Sequence, residues 1–164
     1  MKQRIGFIYR VEHLGRDGRV LSFETVRNLM PDEALRYVLA AALTGGTAFS
    51  NWHLGLFANE RRPLAADTAE SFLVDAGEID TYDGDARPPL TFAEAAAGSL
   101  STMAAPNVFN FADETIVQGA FIAPVATFGD TTGPLLSAAL FNAPKTIGAG
   151  EALRVPAGVF LVSA

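Results

Sequence analysis

TIVQGAFIAPVATFGDTTGPLLSAALFNAPKTIGAGEALRVPAGVFLV, residues 115–162, is the stretch that decides the fold class. Within it Thr115 to Ala123, Leu135 to Phe141, Lys145-Thr146-Ile147, Leu153-Arg154-Val155 and Val159 to Val162 are short runs of β-forming residues. Clusters of Gly, Pro, Asp and Asn punctuate the runs, as at Phe128 to Pro134 and Gly148 to Glu151. Upstream, Val108 to Phe111 is a run of the same kind, and Trp52 to Phe57 alternates so that Trp52, Leu54 and Leu56 share one face. Strands this short, at this regular spacing and without βαβ alternation, predict a mainly β chain: an antiparallel β-sandwich or a jelly-roll-like barrel. Phe109, Phe111, Phe121, Phe128, Phe141 and Phe160 are expected in its core, and Trp52 is expected to be buried.

Working back to the N-terminus, Arg4 to Val11 and Val20 to Val26 flank Gly15-Arg16-Asp17-Gly18. Asp-Gly is a strong turn signal because both residues tolerate positive φ, so a β-hairpin is predicted. One helix follows at about 31–44. Pro31 suits a helix start, Asp32 and Glu33 favour the positive end of the dipole, and Gly45 can end it. Leu35, Val38, Leu39, Ala42 and Leu43 fall on one helical face, expected to pack inward. A second, shorter helical turn at Asp67 to Ala76 would be capped by Asp67 or Thr68, with Phe72 and Leu73 inward.

Charge is uneven. Of 164 residues, 12 are basic and 18 acidic, a net charge of −6. Residues 1–30 hold six bases (Lys2, Arg4, Arg10, Arg16, Arg19, Arg27) against three acids (Glu12, Asp17, Glu24), and the rest hold six bases against fifteen acids. Two readings are open: a basic N-terminal arm, 1–30, attached to an acidic β-rich body, 31–164, or an Arg-rich first hairpin of one domain.

Composition excludes much chemistry. Cysteine is absent, which removes disulfides, thiolate metal sites and a cysteine nucleophile. Two histidines, His13 and His53, are too few for a multi-histidine metal cage, and no Gly-x-Ser-x-Gly elbow accompanies them. The acids from Asp67 to Asp85 lack EF-hand spacing and read as a solvated loop. No catalytic residue, metal or cofactor is expected. A net acidic surface argues against nucleic acid. The most apolar helical window, Ala34 to Leu43, contains Arg36 and is far shorter than the roughly 20 residues that span a bilayer. A soluble protein without a signal peptide is expected.

The order of segments resembles the capsid cement (decoration) proteins of tailed bacteriophages. The resemblance is carried by the Asp17-Gly18 hairpin and by Asn28-Leu29-Met30-Pro31-Asp32-Glu33-Ala34-Leu35 opening a helix. It continues through Gly45-Gly46-Thr47, Trp52 to Phe57, and Arg87-Pro88 after an acidic segment with Tyr82. Val117 to Phe121, Gly133 to Phe141 and Gly150 to Val155 complete it. It implies a β-rich structural virion protein, made in the host cytoplasm, that sits on the capsid exterior and ties neighbouring major capsid proteins together without catalysis. A homo-oligomer, dimer or trimer, is expected, with Arg4, Arg10, Arg16, Arg19 and Arg27 as the partner-binding residues. A tail-tip or head–tail connector component is an alternative. So is a carbohydrate-binding β-sandwich, with Trp52 and Tyr82 as stacking residues.

Overall fold

The computed structural model describes residues 4–96 and 98–162. In chain order the elements are β1 (Arg4–Leu14), β2 (Val20–Arg27), α1 (Asp32–Leu43), β3 (His53–Phe57), α2 (Ala69–Ala76), β4 (Glu78–Ile79) and β5 (Ala93–Ala96). They continue with β6 (Ser99–Ser101), β7 (Asn107–Asn110), β8 (Thr115–Ala123), β9 (Ser137–Ile147), β10 (Ala152–Val155) and β11 (Ala157–Val162). The strands form two antiparallel sheets, one of seven strands and one of four, stacked as a sandwich. The runs expected at Leu135 to Phe141 and at Lys145 to Ile147 merge into a single strand, β9, which begins only at Ser137. The segment Ala93 to Ala105, rich in alanine, supplies β5 and β6, which its composition did not announce, because alanine is a weak strand former.

β1 lies inside the larger sheet. One of its edges pairs with β2, while the other pairs with β11 along Arg4–Tyr9 and with β10 along Glu12–Leu14. Pro156 separates β10 from β11, and its carbonyl accepts the Arg10 N–H at 3.0 Å, so the ladder carries across the break. Phe7, Tyr9 and Val11 alternate into the core beside Phe109, Leu153 and Val155. The basic residues from Arg4 to Arg27 are therefore no detached arm. They belong to a hairpin whose first strand is in the sheet interior, paired along both edges and burying Phe7, Tyr9 and Val11 in the core. The hairpin is also tied to the smaller sheet: Leu29 forms a bridge with Ala138, and Glu24 pairs with Lys145 at 2.9 Å.

The smaller sheet runs β4-β3-β8-β9 and is covered on both faces. Leu54, Leu56, Val117 and Ile122 face the larger sheet. Phe57, Phe121 and Ala138 face α2, whose Ala69, Phe72, Leu73 and Ala76 close the second core. Burial on both faces explains why Gly119 to Ala123 reads as an unbroken apolar run. Two cross-strand pairs match a glycine with a phenylalanine, Gly55 with Phe121 and Gly119 with Phe57. A Cβ on Gly55 would lie 2.2 Å from the Phe121 ring, and one on Gly119 would lie 2.1 Å from Phe57 and 2.3 Å from the Ala139 carbonyl oxygen. Each glycine vacates the space its partner's ring occupies. α2 is the second of two helices among the described residues, and Thr68 caps it by accepting the Ser71 N–H.

α1 departs from expectation. Of its residues only Ala34 is fully buried, whereas Leu35, Leu39 and Leu43 are exposed. Polar anchors at its N-terminus fix its rotation. The Asp32 N–H donates to the Ala65 carbonyl at 2.8 Å, and the Glu33 carboxylate accepts the amides of Ala69 at 3.0 Å and Leu135 at 2.6 Å. These bonds turn Ala34 and Val38 to the core and the leucines away from it. Among the described residues no helix is long and apolar enough to cross a membrane.

Candidate partner-binding surface

The hairpin turn closes as its residues require. Gly18 adopts φ +76°, Gly15 receives and returns backbone bonds across the turn, and the Asp17 carboxylate accepts the Arg19 N–H at 3.0 Å. Register then decides which side chains meet. Ile8 pairs with Arg27, Arg10 with Thr25, Glu12 with both Phe23 and Arg154, and Arg154 with Val108. Since cross-strand partners share a face, Arg10, Arg27, Arg154, Phe23 and Val108 lie together on the side of the larger sheet away from the core. Phe23 is 61% exposed there and Val108 44%.

Glu12 organises this face. Its carboxylate accepts Arg10 Nε at 2.6 Å and also pairs with Arg154, and the Arg10 guanidinium lies 4.6 Å from the Phe23 ring centroid. Burial alone would raise the Glu12 pKa, but the hydrogen bonds and charges of Arg154 and Arg10 outweigh it and hold the carboxyl below its ordinary range. Three guanidinium groups thus share a face with one carboxylate, beside exposed aromatic and aliphatic surface. β2 pairs with β1 alone among the described residues, and Val20 and Leu21 extend the apolar surface toward the turn.

Of the five arginines read as partner-binding, Arg10 and Arg27 are brought together on this face. Arg16 and Arg19 stand exposed at the turn, where Arg16 Nε donates to the Ala149 carbonyl at 2.8 Å. Arg4 opens β1 opposite Val162, and its side chain lies outside what is described. Arg154, Phe23 and Val108 escaped the sequence reading because they join the face only through pairing register. The alternation of Leu21, Phe23 and Thr25 with Ser22, Glu24 and Val26 was the one local signal.

Other candidates occupy structural positions. His13 Nε2 lies 2.7 Å from Glu151, whose carboxylate also accepts the Gly148 N–H; that bond, and next His13, lower the Glu151 pKa. His53 sits against the Pro124 carbonyl at 3.1 Å, and burial lowers its pKa. Nor is the acidic segment simply a solvated loop. Asp67 binds Arg61 at 2.6 Å, and Glu78 holds the fully buried Arg87 through two oxygens, at 2.6 and 2.8 Å. Among the described residues, no three of His, Asp and Glu are grouped so as to hold a metal. Tyr82 is only 5% exposed, packed edge-on against Phe109, Phe111 and Phe128, and presents no ring to a sugar. Trp52 is half-buried rather than buried, in an aromatic cluster with Tyr37 and Phe49.

Trp52 also borders an open cleft of about 770 Å³ between α1 and the β5-β6-β11 end of the larger sheet. Its walls are Tyr37, Val38, Ala41 and Ala42 on the helix side and Phe7, Phe92, Leu100 and Val159 on the sheet side, with Met30 and Leu136 among the other lining residues and Glu94 the one charged group.

No family model, curated protein or solved structure matches this chain.

Proposed function

We propose that this chain is a structural virion protein that binds the outside of a phage capsid and cements neighbouring major capsid proteins. The observation that supports it best is the outward face of β1, β2 and β10, where Arg10, Arg27 and Arg154 surround exposed Phe23 and Val108 on a chain whose net charge is −6. Such a face suits an acidic partner surface with apolar ground between its charges. The arginines speed and orient encounter, and the apolar contact resists dissociation. Many copies on one shell would turn a modest contact into firm attachment. A capsid is the assembly implied by the motif resemblance, and the sandwich offers a rigid base for such a face.

The test is co-sedimentation with capsid particles assembled without this protein, followed by a copy count on the particles. Attachment at one position per repeat of the shell lattice is expected. Phe23→Ser should reduce it severely at any salt concentration. Arg10→Gln with Arg27→Gln should reduce it mainly at low ionic strength, since the screening length is about 10 Å at 0.1 M salt. Absence from particles would overturn the reading, and a handful of copies at one vertex would favour the connector alternative.

A further inference from the structure

Helix α1 carries its largest apolar side chains outward. Leu35, Leu39 and Leu43 recur every four residues and are 37%, 56% and 77% exposed. That spacing aligns them on one side of the helix over about 12 Å. The stripe adjoins the apolar cleft, because Ala42, three residues after Leu39 and seven after Leu35, lines the cleft wall. Together they leave a contiguous apolar surface of a kind that marks an interaction site.

We infer that α1 is a self-association element, and that a second copy of this chain occupies the cleft in a two-fold arrangement. Two observations select this occupant. A two-fold interface must be complementary to itself, so projection and recess have to lie on one surface, and α1 supplies both the leucine stripe and a wall of the cleft. A small apolar ligand would fill the recess and leave the leucines in water. The charges agree as well. Arg36 is exposed on α1 and Glu94 is exposed on the cleft's rim, and among the described residues neither has an ion-pair partner. With the leucines of each copy seated in the other's cleft, Arg36 of each copy meets Glu94 of the other, twice per dimer. A fatty acid, by contrast, would find an acid, Glu94, as the cleft's one charged group and no base to pair with its carboxylate. The inference is independent of the capsid reading, because it concerns the free protein.

Sedimentation velocity between about 1 and 100 μM tests it directly. The wild-type chain should show a monomer–dimer equilibrium. Leu39→Glu should be monomeric with an unchanged circular dichroism spectrum, since the side chain is exposed in the monomer. Arg36→Glu and Glu94→Arg should each weaken association roughly tenfold or more, because each homodimer then holds two like-charge contacts. Mixing the two variants should restore dimers, because both contacts in the mixed pair join opposite charges. A wild-type chain that stays monomeric, a dimer indifferent to Leu39→Glu, or a mixture no better associated than its components would overturn the inference. A trimer would overturn the two-fold arrangement. A monomer that binds an apolar dye with quenching of Trp52 fluorescence would also overturn it, and would make the cleft a small-molecule site.

Discussion

Arg87→Met removes the most completely buried cation among the described residues, and its cost follows from what it leaves behind. Arg87 is 1% exposed. Its guanidinium donates Nε and Nη2 to Glu78, Nη1 to the Val125 carbonyl at 2.9 Å and Nη2 to the Asp130 carbonyl at 3.0 Å. Glu78 also accepts the Gly129 N–H at 2.7 Å. One side chain thus pins β4 to the 125–130 loop. Methionine fills much of the volume but strands the Glu78 carboxylate, 8% exposed, without its counterion. Breaking one partner of a buried pair costs about 3–5 kcal/mol, a fall in Tm on the order of 6–20 °C for a domain of this size. Adding Glu78→Gln should recover about 1–3 kcal/mol, since it removes the stranded charge and keeps an acceptor for Gly129. Arg87→Lys should remain clearly destabilised because an ammonium cannot match the two-oxygen geometry. The assay is urea unfolding followed by the fluorescence of the single tryptophan, with unchanged slope as the check that ΔG alone has moved. Arg87→Met within about 1 kcal/mol of wild type, or a double variant no more stable than the single, would refute the reasoning.

Three further outcomes are expected. Deleting residues 1–27 removes β1 from the interior of the larger sheet, so the truncated chain should show no cooperative melting transition by calorimetry; a native-like transition would contradict the pairing of β1 with β10 and β11. Gly119→Ala should destabilise by about 3 kcal/mol or more in urea unfolding, because its Cβ would press on the Ala139 carbonyl oxygen, which backbone pairing holds in place. Burial lowers the His53 pKa, so below about pH 6.5 the unfolded chain takes up the proton more readily, and stability should fall as pH drops from 7.5 to 5.5. In His53→Gln that slope in Tm should be shallower, and equal slopes would refute the assignment.

Strand positions were legible in the sequence because they depend on local physics. Alternation of apolar residues and Gly/Pro punctuation place Thr115–Ala123 on β8 and the Asp17-Gly18 turn between β1 and β2. The signals failed where local preference is weak, as in the alanine-rich β5 and the short Ser-Leu-Ser strand β6, or where tertiary contacts overrule it. α1 shows the second case. Its helix is evident from period and charge, but the inward leucine face is not what forms, because backbone and Glu33 hydrogen bonds to distant segments set the rotation. Tyr82 shows the same limit from the other side: nothing near it in sequence reports the three phenylalanines that enclose its ring.

By itself the sequence determined a mainly β, cysteine-free, acidic chain with antiparallel strands and a basic first hairpin, since composition, period and turn chemistry act within a few residues. Only the tertiary structure decided that β1 is an interior strand and that Arg154 joins Arg10 and Arg27 on one outward face. It alone also exposed the leucines of α1 beside an open cleft. The physical reason is that pairing register and helix rotation are settled by contacts between residues far apart in the chain, such as Glu12 with Arg154 and Glu33 with Leu135, which no local pattern encodes.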